Sequence, residues 1–427
     1  MRVLLVVKNK FMESLGVMYL SSVIKKGGHE CRIVDLKEAS DFAHQWAPDI
    51  IGFSIMTGDR EKFKILKEAI EFDLVYKPKG FTSFSPKSNP RPKFIVGGAD
   101  PSFFPEGYDW ADEIVKGEGE NWINKFLTKD NYATYDNIDS IPWPDRTDFP
   151  NMKVMDFITS RGCPYKCTYC YNAKWAEMFP EQKGVRIRSV DDVIAEIKSV
   201  NPEYVYFQDS CFGIRMDWFA EFAKRMRDEI KKPYQCNFRP EQITDRRAYW
   251  LKESGCVAIR MALETSSDRL RELVGRNGYE LKDMIIASEL LRKYGIQYMI
   301  QNIIGLPTST IEEDLDTLEF NIQCKPTYSW VSIYQPYPGT ALGDMCKEKG
   351  WYRGDYSDIT DSFFDTSFLE ISSEHKEQLE VLQKVWAMCV NYEYLPKPEE
   401  LSYKALPKLI HTITRRNGDK KLYLGLL

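Results

Sequence analysis

The sequence predicts an α/β protein with two parallel sheets in series: a doubly wound sheet, then a partial (β/α)6 barrel of the TIM type and a small mixed C-terminal region. Three observations predict this fold. Short apolar runs alternate with helical patterns through residues 1–135. A Pro-containing segment, residues 136–152, then interrupts the alternation. Six further strand–helix units follow in residues 153–345, ahead of an α-rich region at 346–427.

The first sheet is predicted from apolar runs that are bounded by turn residues. A helical pattern over Met18–Lys26 ends at Gly27 and Gly28, where helices commonly stop. The segment Asp73–Pro92 is rich in Lys, Pro, Ser and Gly, and indicates an insertion. Doubly wound sheets bind ligands beyond the carboxyl ends of their strands. The four predicted strands are Val3–Lys8, Cys31–Asp35, Ile50–Ile55 and Phe94–Val96.

The barrel strands are predicted in the same way, with helix caps between them. Ser189 begins a segment typical of a helix N-terminus, and Thr310 with Glu313 matches a capping box. The tail ends in a basic stretch, Thr414–Lys421, for which the pattern predicts no function. The six strands are Val154–Ser160, Glu203–Gln208, Tyr234–Phe238, Val257–Leu263, Gln297–Ile303 and Ser329–Tyr334.

Composition and charge exclude several classes of protein. The net charge of the 427 residues is −5 and the basic residues are dispersed, which argues against a nucleic-acid surface. No apolar run approaches the ~20 residues that a membrane-spanning helix needs. Seven of the ten cysteines are scattered through predicted strands, helices and loops. We therefore expect mostly free thiols in a reducing cytoplasm.

Three of the cysteines share one short loop. Cys163, Cys167 and Cys170 lie within the segment Ser160–Tyr171. Three thiolates at this spacing can bind three irons of a cubane iron–sulfur cluster and leave the fourth iron open. They make a poor structural zinc site, since structural zinc takes four protein ligands. Three free cysteines in a loop are the plain alternative.

The cysteine loop resembles the signature of the radical S-adenosylmethionine superfamily, including the aromatic Tyr169 before the third cysteine. The resemblance implies a [4Fe-4S] cluster whose open iron binds S-adenosylmethionine. One electron, from a donor such as flavodoxin or ferredoxin, then cleaves the sulfonium and yields a 5′-deoxyadenosyl radical that removes hydrogen from a substrate. It also implies that Tyr169 contacts the adenine.

Polar residues stand at the carboxyl ends of the predicted barrel strands, where barrel enzymes place their reactive groups. Singly, each is more often a solvated or capping group. Their surroundings resemble superfamily landmarks in the expected order across residues 156–342. An arginine can bind a carboxylate through two hydrogen bonds, and carboxylates or amides can accept from ribose hydroxyls. The predicted S-adenosylmethionine contacts are Tyr169, Asp209, Arg239, Glu264 and Asn302.

The N-terminal half resembles the cobalamin-binding domain that is fused to many radical S-adenosylmethionine enzymes. The resemblance covers Ser14–Gly16, Gly52–Gly58, Val96–Pro101 and Val115–Glu120. Small residues let the backbone approach a large ligand closely. The expected cobalamin contacts are Ser54, Thr57, Gly97, Gly98, Gly117 and Gly119.

The first loop departs from one cobalamin motif. Mutase-type domains carry Asp-x-His-x-x-Gly, with histidine as the lower cobalt ligand, and none of the four histidines here lies in such a motif. We therefore expect that no histidine of this loop binds cobalt. A degenerate domain that only supports the barrel is the alternative.

The combined resemblance implies a cobalamin-dependent radical enzyme, and within that group a class B C-methyltransferase that acts on an unactivated carbon through a 5′-deoxyadenosyl radical and methylcobalamin. The alternatives are a cobalamin-linked cyclase or ring-rearranging enzyme, and a radical oxidoreductase without methyl transfer. A non-enzymatic iron–sulfur scaffold is a further class. The substrate is not predicted: a small molecule, a lipid, a tetrapyrrole and a peptide all stay open.

Overall fold

A computed structural model describes residues 1–76, 91–128, 134–149, 152–182 and 184–415. Within these ranges the chain forms two parallel sheets, one of five strands and one of six, with a two-stranded antiparallel ribbon beside the second. The predicted fold class is confirmed. Residues 77–90, most of the predicted insertion, lie outside the described part, as do Pro150 and residues 416–427 of the basic tail.

The first sheet is doubly wound. Its strand order is β2-β1-β3-β4-β5, so the order reverses between β1 and β3, the place where such sheets bind ligands. The third helix continues through Tyr76, so the start of the predicted insertion is helical. The fifth strand has two residues and was not predicted. The elements are β1 (Arg2–Val7), α1 (Leu15–Lys26), β2 (Glu30–Asp35), α2 (Ala39–Trp46), β3 (Ile50–Ser54), α3 (Arg60–Tyr76), β4 (Lys93–Gly97), α4 (Ala99–Phe103), β5 (Glu113–Ile114) and α5 (Glu120–Thr128).

Two apolar cores cover the faces of this sheet. One joins the strands to helices α1 and α5, and includes Met18 and Ile123. The other joins them to α2 and α3, and includes Ala43 and Phe63. Strands β1, β3 and β4 are buried on both faces, which explains why they read as continuous apolar runs rather than alternating ones.

The predicted linker is docked on the first sheet. Ile138, Ile141 and Phe149 belong to the same core as α1 and α5. Asp148 accepts hydrogen bonds from the backbone of Ile33 and the side chain of Arg32, both at 2.8 Å. The linker is therefore held by both polar and apolar contacts, and these contacts determine where the second sheet begins.

The second sheet has the order β13-β12-β11-β10-β9-β6, and β6 and β13 each have one neighbour, so the barrel is open between them. The strands and helices are β6 (Val154–Phe157), β7 (Ser160–Arg161), α6 (Tyr171–Met178), β8 (Arg186–Ile187), α7 (Val190–Val200), β9 (Tyr204–Phe207), α8 (Met216–Arg225), β10 (Tyr234–Phe238), α9 (Asp245–Glu253), β11 (Cys256–Glu264), α10 (Asp268–Leu273), α11 (Leu281–Lys293), β12 (Gln297–Ile304), α12 (Ile311–Cys324), β13 (Tyr328–Ile333) and α13 (Ala341–Glu348). The first predicted barrel strand, Val154–Ser160, is divided: β6 ends at Phe157, and β7 pairs with β8.

The inner face of this sheet differs from the outer one. In β10, β12 and β13, buried residues alternate with half-exposed ones. The buried set, which includes Cys236, Ile300 and Val331, packs against helices. The half-exposed set therefore lines the concave side, which solvent reaches. This departs from closed barrels, whose interiors are filled with branched apolar side chains.

The C-terminal region contains α14 (Ser373–Asn391) and α15 (Leu406–Arg415) and packs on the last barrel strands. Before α14, the segment around Asp361 crosses to the first domain. Asp361 forms ion pairs with Lys8 and with Lys62, the latter at 2.7 Å. The backbone of Gly58, with φ +89, lies so close to Thr360 that a Cβ would sit 2.4 Å from its carbonyl carbon. Across the described ranges, no helix is long and apolar enough to cross a membrane.

Candidate functional site

A cavity of about 430 Å³ lies where the carboxyl edge of the first sheet meets the barrel. Its first-domain wall contains five of the six predicted cobalamin residues. Apolar side chains of β1, α1 and α5, among them Leu5 and Ile123, extend the same wall between sheet and helices. The five residues brought together are Ser54, Gly97, Gly98, Gly117 and Gly119.

The glycines of this wall leave room that side chains would take. A Cβ on Gly98, whose φ is +108, would lie 2.6 Å from the Ile55 carbonyl oxygen. A Cβ on Gly16, at the start of α1, would meet nothing within 4 Å and would point into open space beside the cavity wall. The wall therefore offers backbone and hydroxyl groups at close range, as binding of a corrin and its nucleotide tail requires.

Thr57 does not line this cavity. Its hydroxyl lies 2.8 Å from the hydroxyl of Tyr171, the residue after the third loop cysteine. Tyr171 also stacks on Phe103 of α4, with ring centroids 4.2 Å apart. Thr57 therefore joins the first domain to helix α6, and the prediction that it binds cobalamin receives no geometric support.

The barrel wall of the cavity carries charged pairs. Arg161 donates to Glu120 at 2.6 Å, and Arg186 donates to Glu118 at 3.0 Å. Arg161 also lies 3.2 Å from Glu118 in an ion pair. Cations of the barrel thus meet anions from the β5–α5 turn of the first domain, which holds the two walls at a fixed separation.

The three loop cysteines lie at the barrel end of the same region. Cys167 is buried, and Cys163 and Cys170 are half-buried. Burial raises the pKa of the Cys163 thiol, Cys167 raises it further, and Arg239 and Arg276 oppose the increase. Burial, Cys167 and Cys163 together raise the pKa of Cys170. The three thiols are therefore close enough to affect one another's charge, in surroundings that contain two cations.

This loop fits a cubane cluster better than a single ion. In the described part of the chain, no three His, Cys, Asp or Glu side chains are grouped to hold one metal ion. Ligands of a cubane need no such convergence, because each cysteine binds a different iron. Thr168 anchors the loop through its backbone N–H to Val274 O at 3.2 Å and its hydroxyl to Leu273 O at 2.8 Å.

Behind the loop, Tyr169, Glu264 and Arg276 form one buried network. The Tyr169 hydroxyl donates to Glu264, and Arg276 donates to both, at 3.1 Å to the hydroxyl and 2.8 Å to the carboxylate. Glu264 adopts a left-handed conformation, with φ +69. A non-glycine residue in this conformation is strained and is common at functional sites. Arg276 was not predicted: it follows α10 in a segment without periodicity, and only Gly275 beside it marks a close approach.

Arg239 is placed beside the cysteine loop by β10. Its guanidinium lies 3.8 Å from the ring centroid of Tyr165 and donates to Glu241 at 2.5 Å. Arg239 is 7% exposed, and the second oxygen of Glu241 is buried without a partner. The guanidinium is thus held next to Cys163, where a ligand carboxylate could meet its remaining donors.

Asp209 accepts hydrogen bonds from the residues that lead into the cysteine loop. Its carboxylate accepts from Thr159 N at 3.0 Å, Thr159 Oγ1 at 2.7 Å and Ser160 Oγ at 2.6 Å. Both oxygens are therefore committed to the residues that lead into the cysteine loop. Asp209 positions that loop, and its contact with S-adenosylmethionine stays a prediction.

Asn302 faces the opposite side of the sheet from the site. Its amide exchanges hydrogen bonds with Asn321 of α12, at 3.1 and 2.8 Å, and donates to Trp330 O at 2.9 Å. The side chain is 1% exposed. It satisfies polar groups between sheet and helix, and we do not carry it forward as a ligand contact.

Asn172 is a site residue that sequence reasoning missed. Its amide donates to Cys170 Sγ at 3.7 Å and to Ser210 Oγ at 3.0 Å, and it also lines the cavity. Trp175, one turn later, lines the cavity as well. Helix α6 thus runs from the cysteine loop to the first domain, a relation that no local sequence pattern reveals.

Comparison with known proteins identifies two family models in this chain. A B12 binding domain matches residues 1–127, and the Radical SAM superfamily matches residues 157–320. The first range contains the glycine turns of the cavity. The second contains the cysteine loop and the ends of β9 to β12.

Three proteins that match most of the length of this chain are described as methyltransferases or methylases. A methyltransferase of Pyrococcus horikoshii that is described as uncharacterized is 24% identical over 377 residues, 77% of each chain. The hopanoid C-3 methylase of Methylococcus capsulatus is 23% identical over 381 residues, 77% of this chain and 68% of the relative. The radical S-adenosylmethionine methyltransferase TsrM of Kitasatospora setae, solved with cobalamin and a [4Fe-4S] cluster bound, superposes with a TM-score of 0.64 at 16% identity, covering 82% of this chain and 78% of that one.

Proposed function

Because the chain is a radical S-adenosylmethionine protein with an N-terminal B12 binding domain, we propose that it is a cobalamin-dependent C-methyltransferase acting on an unactivated carbon. It is an enzyme with three cofactors: a [4Fe-4S] cluster, S-adenosylmethionine and cobalamin. The division into residues 1–135, 136–152, 153–345 and 346–427 is part of the proposal.

The observation that carries the proposal is the shared cavity. The glycine turns of the first domain and residues next to the cysteine loop, such as Ser160 and Asn172, face the same space. Methyl transfer to a carbon radical requires the methyl donor and the radical source to meet one substrate. A domain that served only as a support would not need an open wall at this point.

Each of the three cofactors would be bound by a different set of residues. Cys163, Cys167 and Cys170 would hold the cluster, which supplies the electron for cleavage of S-adenosylmethionine when it is bound. Arg239 and the Tyr169–Glu264–Arg276 network would bind S-adenosylmethionine. Asp209 keeps Thr159 and Ser160 in place, so that the loop enters the site at one angle. Ser54 and the four glycine residues at 97, 98, 117 and 119 would hold cobalamin.

The lower face of cobalt has no histidine in this proposal. Among the residues that line the cavity there is none, and the β1–α1 loop contains none. Cobalamin bound here would supply the nucleophile that takes up the methyl group, without an imidazole from the residues that line the cavity. The tail of cobalamin would lie along the glycine turns and the apolar wall between sheet and helices.

The decisive experiment is anaerobic reconstitution with iron, sulfide and hydroxocobalamin. We expect absorption from both cofactors, and 5′-deoxyadenosine when S-adenosylmethionine and a reductant are added. Paramagnetic resonance of the Co(II) form should lack splitting from a nitrogen lower ligand. Cluster absorption without bound cobalamin would instead favour the radical oxidoreductase.

The methyl group itself gives the second test. With S-adenosylmethionine labelled in its methyl group, label should leave the cofactor pool in methylated product when a cell extract supplies the substrate. Deoxyadenosine formation that depends on the extract, with no label in any product, would favour the cyclase or ring-rearranging alternative. A cytoplasmic location and a flavodoxin or ferredoxin as electron donor complete the proposal; the ten free cysteines support the former.

A further inference from the structure

The concave face of the barrel contains an arginine, Arg260, that forms no ion pair within the described part of the chain. Arg260 lies in β11 between Ile259 and Met261, which are both 0% exposed in the outer core. Side chains alternate across a strand, so Arg260 points to the inner face. Its guanidinium lies 4.6 Å from the ring centroid of Tyr206, which is also on the inner face.

The neighbours of Arg260 leave most of its donors unused. In the part of the chain that the structure describes, no carboxylate lies within ion-pair distance of it, and Tyr206 is its aromatic contact. Asp156, the direct partner of Tyr206 in the strand register, is the nearest acid that it affects. A guanidinium has five N–H donors in a planar fork, and the fork matches the oxygens of a carboxylate or phosphate.

The surroundings are those of a chamber rather than a packed core. Residues that share the inner face include Gln235, Asn237 and Gln301, all half-exposed and polar. Asn237 is the register partner of Arg260. A cation held in a partly desolvated, polar space attracts anions more strongly than one in open water.

From this placement we infer that Arg260, stacked on Tyr206, binds an oxyanion of the methylated substrate inside the barrel. The inference rests on the proposed function and defines its substrate class: a molecule with a carboxylate or phosphate. Arg260 is four residues before Glu264, so the oxyanion lies about 13 Å below the S-adenosylmethionine network along the strand. The substrate is therefore long enough to span that distance from its anionic end to its reacting carbon.

The test uses three small probes on the reconstituted full chain: hexanoate, hexyl phosphate and hexanamide. Binding is measured by calorimetry and by saturation-transfer NMR. We expect hexanoate or hexyl phosphate to bind, and hexanamide, which has the same chain but no charge, to bind at least roughly tenfold more weakly. The preferred anion separates the two oxyanion sources.

Three variants make the test specific. Arg260→Gln should weaken anion binding roughly ten- to a hundredfold, because it removes a charge-assisted pair. Arg260→Lys keeps the charge without the fork and should lose less. Arg246→Gln is the matched control, since Arg246 is also stacked on an aromatic ring, Trp250 at 4.4 Å, but is exposed on α9. It should bind the probes as the wild type does.

Two results would overturn the inference: equal or absent binding of anion and amide by the wild type, or unchanged anion binding in Arg260→Gln with a native circular dichroism spectrum. Should Arg260→Gln fail to fold, the comparison of probes on the wild type and on Arg260→Lys still decides. Failure of the proposed function looks different, because it would appear as absent deoxyadenosine formation by the wild type without any probe.

Discussion

The two walls of the cavity are built on different physical principles. The first-domain wall consists largely of glycine turns and apolar side chains, so it would bind its ligand through shape and backbone groups. The barrel wall and the cysteine loop depend on charged side chains that are paired with one another, such as Glu264 with Arg276. A wall that binds by shape tolerates a change of charge but not a change of side-chain volume. In a network of paired charges, the loss of either partner leaves the other charge buried alone.

The difference has a consequence for substitution. On the glycine wall, the effect depends on whether a new side chain meets protein or open space. On the charged wall, the effect depends on which partner stays behind, because a buried charge without its counter-charge costs several kcal/mol. Substitutions of each kind, with matched controls, separate these cases.

The largest effect is expected at the cluster. Changing any one of Cys163, Cys167 and Cys170 to Ala should abolish formation of 5′-deoxyadenosine, because a cubane held by two thiolates is not retained. Iron and sulfide analysis and chromatography of the nucleoside provide the measurement.

Cys211 supplies the control for that experiment. Its thiol is buried, and its pKa is raised to about 12 by burial, with a further increase from nearby Cys163. Cys211→Ala should keep the cluster and the activity. If it loses iron as Cys163→Ala does, the assignment of three ligands is wrong.

The next effect concerns the buried charged network behind the cysteine loop. Arg276→Ala leaves Glu264 buried without its cation and should weaken S-adenosylmethionine binding roughly ten- to a hundredfold while the iron content stays unchanged. Asn302→Ala should bind S-adenosylmethionine normally, since that amide serves Asn321. Equilibrium dialysis of both variants is sufficient, and a weaker affinity in Asn302→Ala would restore the original prediction for this residue.

The third prediction compares two glycines of the other wall. Gly16→Leu places a side chain in open space beside the cavity, so we expect cobalamin affinity to fall at least roughly tenfold with no loss of thermal stability. Gly98→Ala should instead destabilise the protein by about 1–3 kcal/mol, because φ +108 with ψ −169 is a glycine conformation. Cobalamin titration and thermal melting distinguish them. Equal behaviour of the two variants would contradict the view of this wall as a shaped surface.

The smallest effect is a pH dependence of stability, which has opposite signs for Asp156 in the barrel and for Asp145 in the linker. Burial raises the pKa of Asp156 in β6 to about 6, with Glu13 adding to the increase. The folded state then holds a proton that the unfolded chain releases near pH 4, so stability falls between about pH 4 and 6 and is constant above. For Asp145 in the docked linker, burial raises the pKa, but hydrogen bonds from Lys25 and Ser21 outweigh it and lower the value to about 2. Its contribution is therefore present above pH 4 and is lost as the pH falls towards 2.

Urea unfolding of Asp156→Asn and Asp145→Asn at pH 4.5 and pH 7 measures this contrast. Relative to the wild type, Asp156→Asn should gain on the order of 2–3 kcal/mol between the two values, and Asp145→Asn should lose stability at both. If the free energy of unfolding changes by the same amount between pH 4.5 and 7 in the wild type and in Asp156→Asn, the assignment is wrong.

The fold and the glycine wall could be predicted because their signals are local. Strands such as Arg2–Val7 are recognisable from apolar runs between turns, and Gly98 stands in a turn that only glycine can form. Sequence patterns say least where the outcome depends on partners that are distant in sequence. Asp209 stands at a strand end as predicted, yet Thr159 and Ser160, about fifty residues earlier, occupy its oxygens. Arg276 gives no pattern at all until the fold brings it to Glu264.

Helix α6 joins the cysteine loop to the first domain, through Asn172 beside Cys170 and Tyr171 beside Thr57. A contact that orders one end of helix α6 also orders its other end. Cluster assembly and corrin uptake then share a coupling free energy, and such a coupling is reciprocal. By whatever factor a filled iron–sulfur loop raises the affinity for cobalamin, cobalamin must raise the affinity for the cluster by an equal factor. A cell short of either nutrient would therefore hold less of the other in this protein.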